Sequence, residues 1–220
     1  IWQIFKNLIT KAVAAPGKLL AKKSGVDEKY LQGFDWKSLQ TDLDEEQKKA
    51  LDAAATTLVA APEMNIEFVK AYNVPKELDQ LALQESKKRY LFMNRRIASE
   101  EEVSEEEEKL VESVPARDSV FNAYIDRELQ TQNSLLFIFD KSKRLVGTEK
   151  LQNKLFRLYE KRTEAIQKYL TETKGVATNR FRIVNPLEAE ELPYESVSRM
   201  IMNFYLPDED PIAGDKKTSN

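Results

Sequence analysis

The chain has 220 residues, enough for one sizeable core or two small ones. It contains no cysteine and no histidine, which excludes metal centres built on thiolate or imidazole and nucleophile pairs of the Ser-His or Cys-His kind; no metal, cofactor or catalytic residue is expected. A net charge of -3 gives no global basic field for nucleic acid, and no apolar run approaches the ~20 residues that span a bilayer.

Residues 1–24 form the first unit, expected as a basic amphipathic helix. Ile1, Phe5, Leu8 and Ala12, flanked by Trp2, Ile4, Ile9 and Val13, make a wide apolar face. Lys6, Lys11, Lys18, Lys22 and Lys23 are its only charges, because no acid precedes Asp27. Apolar residues with Trp2, Phe5, Leu8 and Ile9 on one side and Lys6 and Lys11 near the other suit an anionic membrane surface. The same face would equally serve a helix docked on protein. Pro16-Gly17 is read as the break.

A short strand is expected around Tyr30 to Phe34. Asp44 to Gln47 has the form of a capping box, opening a helix whose Leu51, Ala54, Ala55, Leu58 and Val59 suit close packing on a sheet. Pro62 closes it, and residues 64–71 alternate as a second strand. From Pro75 the pattern turns helical. The acidic run Glu100–Glu102 and Glu105–Glu108 lacks the alternating ligands and turn glycine of a calcium loop, so it reads as a solvated face or mobile loop. Residues 117–129 look helical, whereas Leu135 to Phe139 is either a buried strand or a buried helical turn. Residues 75–147 together read as a mostly helical insertion.

Thr148 to Gly175 carries Leu151, Leu155, Leu158, Ile166, Tyr169 and Leu170 on one helical face, with Gly175 as the stop. Arg180 to Ile183 alternates as a strand, and Met200 to Leu206 gives the last one. Pro186 to Pro193 is an acidic loop, and 207–220 reads as a disordered tail. A carboxylate pair able to catalyse without histidine would have to be Glu190 and Glu191, two acids in a loop, so the chain is not expected to be an enzyme. Ile1 at the start, with no signal-peptide layout, reads as a C-terminal piece of something longer.

With the insertion set aside, the order is strand, helix, strand, helix, strand, strand. Residues 31–73, LQGFDWKSLQTDLDEEQKKALDAAATTLVAAPEMNIEFVKAYN, and 161–183, KRTEAIQKYLTETKGVATNRFRI, together with SRMIMNFYL, resemble the OmpA-like domain of bacterial envelope proteins over residues 28–73 and 151–206. The resemblance implies an α+β fold, a βαβαβ-type two-layer sandwich over 28–206, here carrying the insertion and preceded by the amphipathic helix. IWQIFKNLITKAVAAPGKLL directly before such a module is similar to the end of AsmA-like envelope proteins, which are anchored in the inner membrane, bridge-shaped and periplasmic. That kinship implies a non-catalytic periplasmic module in lipid transport or outer-membrane assembly, attached through an N-terminal portion. Its partners would be the upstream part of the same chain and the envelope membrane or its proteins, with no nucleic acid.

OmpA-like domains hold the diaminopimelate of peptidoglycan with an aspartate after the second strand and an arginine early in the second helix. Those positions fall here on Asn73 and Arg162. An ammonium and a carboxylate on one carbon call for an acid and a bidentate cation together. Asn73 supplies a hydrogen-bond acceptor without the charge, and the usual preceding glycine is missing. The alternative function is therefore a peptidoglycan tether with a weakened site.

Overall fold

The computed structural model describes residues 16–130, 136–186 and 192–207. The candidate membrane contacts Trp2, Phe5, Lys6, Leu8, Ile9 and Lys11, the pair Glu190 and Glu191, Leu135 and the tail beyond Pro207 lie outside them. The chain is mixed α+β, with seven α-helices and one four-stranded sheet among the described residues. It divides into two compact units, residues 1–72 with 161–220, and residues 73–160.

The first unit holds the sheet. β1 (Gly33–Trp36), β2 (Asn65–Ala71), β3 (Phe181–Val184) and β4 (Ser198–Tyr205) lie in the order β1-β4-β2-β3. β4 runs antiparallel to both neighbours, with Phe34 opposite Met200 and Phe68 opposite Met202, while β2 and β3 are parallel with Ile66 opposite Phe181. Strands from the two sequence blocks 28–73 and 151–206 thus share one sheet. Alternation explains the layering: Phe34, Trp36, Ile66, Phe68, Phe181, Met200 and Met202 share one core with helical residues. Those come from α2 (Glu45–Ala60), through Ala50, Leu51, Ala54 and Leu58, and from the far end of a long later helix, through Ile166 and Leu170. Small residues at 50 and 54 let α2 lie close to the strands. Each fully buried large side chain in this layer contributes on the order of 1.5–3 kcal/mol. The other face is polar: Arg182 donates to Glu67 at 2.8 Å and its guanidinium lies 4.8 Å from the Tyr205 ring centre, and Arg199 sits 3.7 Å from Asp35.

Several expectations need correction here. α1 spans Pro16–Ser24, with Pro16 at its first position, where proline loses no internal hydrogen bond; the break expected there concerns residues 1–15, which lie outside the described residues. α1 is docked on protein, with Leu20 and Ala21 buried beside Leu31, Ala53, Ala61, Met64 and Leu206. The strand expected at Tyr30 to Phe34 is a 3₁₀ turn over Glu28–Leu31, capped by Asp27, which accepts from the Lys29 amide at 3.0 Å. β1 starts only at Gly33. Val59 points to solvent at 81% exposure, because the sheet meets α2 along a narrower stripe. Arg180 precedes β3 in a short 3₁₀ turn.

The second unit, residues 73–160, is helical. α3 (Val74–Met93), α4 (Glu105–Ser113), α5 (Ser119–Glu128) and α6 (Ile138–Val146) are followed by α7 (Thr148–Lys168), whose residues up to Glu160 belong to this unit. Ile138 and Phe139 are therefore helical. Leu83, Phe121, Tyr124 and Ile125 form its core, with the Tyr90 ring 5.5 Å from Phe121 and 5.3 Å from Tyr124. The acidic run is largely exposed, as a solvated face would be, with Glu101 and Glu107 engaged. Glu101 pairs with Lys150 and Lys154, each at 2.9 Å, and Glu107 closes a capping box with Ser104 while accepting from the Ala98 amide. Carboxylates in the first turn of α4 also meet the positive end of its backbone dipole.

Candidate functional site

The residue that organises the first unit's loop end is Arg162. α7 carries it on the face that ends in Ile166 and Leu170, and its side chain is wholly inaccessible to solvent. Nε donates to the Gln40 carbonyl at 2.8 Å and a terminal nitrogen donates to the Lys37 carbonyl at 3.2 Å. The guanidinium carbon lies 4.9 Å from the Trp36 ring centre and 5.2 Å from that of Tyr72. Two aromatic faces and two carbonyl oxygens suit a planar, weakly hydrated cation far better than an ammonium.

The carbonyls converge because the connection between β1 and α2 is folded on its own amides. Gln47, the third residue of α2, is 2% exposed. It donates to the Asp35 carbonyl at 2.7 Å and accepts from the Asp44 amide at 2.9 Å, while Asp44 accepts from the Gln47 amide at 3.1 Å. Gln40 accepts from the Lys37 amide at 2.9 Å and donates to the Asp42 carbonyl at 2.6 Å. Leu39 takes a left-handed φ of 57° to complete the turn. Backbone bonding to Gln47 and the nearby Lys37 ammonium hold the Asp44 carboxyl below its ordinary range, so the cap stays ionised.

A second guanidinium does similar work at the opposite end of α2. Arg180 donates to the carbonyls of Met64 at 2.6 Å and Leu58 at 3.2 Å, and to the Asn65 side chain at 3.2 Å. It thereby satisfies a carbonyl that the helix end leaves open. Neither arginine carries a recognisable motif for this task, because its acceptors are main-chain oxygens.

Asn73 opens the second unit. It is 1% exposed, and its side-chain oxygen accepts from the Lys76 amide at 3.2 Å as the N-cap of α3. The two residues expected to grip peptidoglycan thus belong to different compact units. In its own unit each faces backbone: Arg162 meets the Lys37 and Gln40 carbonyls, and Asn73 meets the Lys76 amide. With Arg162 fully buried, a carboxylate ligand would have to open its enclosure to reach the guanidinium. Among the described residues no group of three or more acidic side chains is placed to hold a metal ion, and no helix is long and apolar enough to cross a membrane. Compared with known proteins, the chain matches no family model, no curated protein and no solved structure.

Proposed function

We propose that the chain is a non-catalytic periplasmic module at the C-terminal end of an AsmA-like envelope protein, built on an OmpA-like frame and used for docking. It serves lipid transport or outer-membrane assembly by touching the envelope membrane with its basic N-terminal segment and envelope proteins with its body. The resemblance of the two sequence blocks supports the family. The observation that favours docking over a peptidoglycan tether is the complete enclosure of Arg162, whose guanidinium is engaged by carbonyls and rings.

Two experiments with the purified chain test this reading. Mixed with purified peptidoglycan sacculi and centrifuged, it stays in the supernatant; sedimentation that is lost in a folded Arg162→Lys variant would establish the tether instead. Mixed with vesicles of phosphatidylethanolamine and phosphatidylglycerol, it floats with the lipid, and Phe5→Asp with Leu8→Asp abolishes flotation. Absence of the wild-type chain from the floating fraction removes the membrane role.

A further inference from the structure

β3 is a terminal strand of the sheet, and among the described residues its hydrogen-bonded neighbour is β2. In a parallel pair every second residue turns its N–H and C=O away from the neighbouring strand, so the far side of β3 presents backbone donors and acceptors. Alongside runs an open groove of about 430 Å³, lined by Phe181, Arg182 and Ile183 of β3 and by Glu164, Lys168 and Glu172 from the end of α7 and the π turn that follows it. Those last three are exposed, and none makes an ion pair among the described residues.

We propose that this groove accepts an extended peptide as a fifth strand beside β3, carrying a basic, an acidic and a basic residue at alternate positions. The spacing supports the pattern. Glu164 and Lys168 stand one α-helical turn apart and Glu172 follows in the π turn, so acidic, basic and acidic heads succeed one another along the groove and alternate side chains of an added strand can meet them in that order. Basic side chains can rest their aliphatic stems on Phe181 and Ile183 while their heads reach the two glutamates. Backbone bonding to the edge supplies affinity, and the three charges supply selection. A second copy of this chain fits poorly, because β3 itself offers one cation, Arg182, already held by Glu67 at 2.8 Å. The charge pattern reads the same in both directions, so it does not choose the strand's polarity. This inference does not depend on the envelope reading.

The test is a titration of the isotopically labelled full chain with the peptide acetyl-Lys-Val-Glu-Val-Lys-amide, followed by amide resonances. The expected result is movement of the amides of residues 181–184. Binding should be about tenfold tighter than for the charge-reversed peptide Glu-Val-Lys-Val-Glu, the size expected of three exposed pairs made or reversed. The triple variant Glu164→Lys, Lys168→Glu, Glu172→Lys, altered at exposed positions and checked for folding by circular dichroism, should invert that preference. Equal binding of both peptides, unmoved β3 amides, or an unaltered preference in the triple variant overturns the proposal. So does concentration-dependent movement of the same amides without peptide, which would make the occupant a second copy.

Discussion

Replacing Arg162 with alanine asks whether its guanidinium is part of the frame or a group awaiting a ligand. Its two carbonyl bonds use a charged donor, each worth about 1.5–3 kcal/mol. Stacking between Trp36 and Tyr72 adds up to about 2 kcal/mol when desolvated. The cost of burying a cation, several kcal/mol, offsets much of that. Alanine leaves a void between two rings and two carbonyls without their donor, so a net loss of about 3 kcal/mol is expected. For a unit of this size that lowers the melting temperature by about 15 °C. Unfolding can be followed by Trp36 fluorescence in a Trp2→Phe background, where Trp36 is the sole indole. Arg162→Lys should recover less than half of the loss, because an ammonium cannot bridge both carbonyls while lying flat between the rings. A loss below about 1 kcal/mol for Arg162→Ala, with the Trp36 spectrum unchanged, would refute the structural role and return Arg162 to the pool of ligand candidates.

Gly33 has a φ of +113°, and a Cβ there would stand 1.9 Å from the Met200 carbonyl oxygen; Gly33→Ala should therefore cost about 3 kcal/mol or more in urea unfolding and loosen β1 from β4, seen as lost amide protection. Hydrogen bonds from Lys154 and Lys150 lower the Glu101 carboxyl from its ordinary 4.5 to about 2. Its folded value lies below its unfolded one, so its contribution is complete above about pH 4.5 and lost as pH falls toward 2; Glu101→Gln should flatten that part of the acid-unfolding curve, and an unchanged slope would count against the pairing. Ser86 and Ser142 are fully buried, with hydroxyls that have no hydrogen-bond partner among the described residues. Ser86→Ala and Ser142→Ala should therefore change stability by less than about 0.5 kcal/mol or raise it, whereas Ser142→Leu should cost about 1–3 kcal/mol through overpacking, both measured by thermal unfolding.

The sequence makes β2 legible because apolar and polar residues alternate, Ile66 and Phe68 in the core and Glu67 on the opposite face, where it is buried against Arg182. The α2 start is legible to the residue, since a capping box is a fixed pairing of side chains and amides three positions apart. β1 is harder to place, because a side-chain bond from Asp27 to an amide two residues on turns Glu28–Leu31 into a 3₁₀ turn and leaves no periodicity to read. Arg162 and Asn73 stand out by position, but their destinations do not. Backbone carbonyls and amides are present at every residue, so nothing in the letters distinguishes a guanidinium that will cap a loop from one that will face a ligand. The groove beside β3 is hidden for another reason: it exists only once the order β1-β4-β2-β3 leaves that strand at the rim.

That order also governs when the sheet can form. Among the described residues β4 is the last strand in sequence, yet it lies between β1 and β2, the first two, and β2 meets β3 across a separation such as the 115 residues between Glu67 and Arg182. A nascent chain that has emerged as far as α3 therefore holds β1 and β2 without any strand to pair them, both bearing raw edges until residues 198–205 arrive. The helical unit, contiguous from 73 to 160, can complete its own core before then. A ribosome stalled before residue 198 should accordingly display a folded helical segment and a sheet without its central strand, and the eight-residue β4 is the keystone that closes the inner edges of β1 and β2.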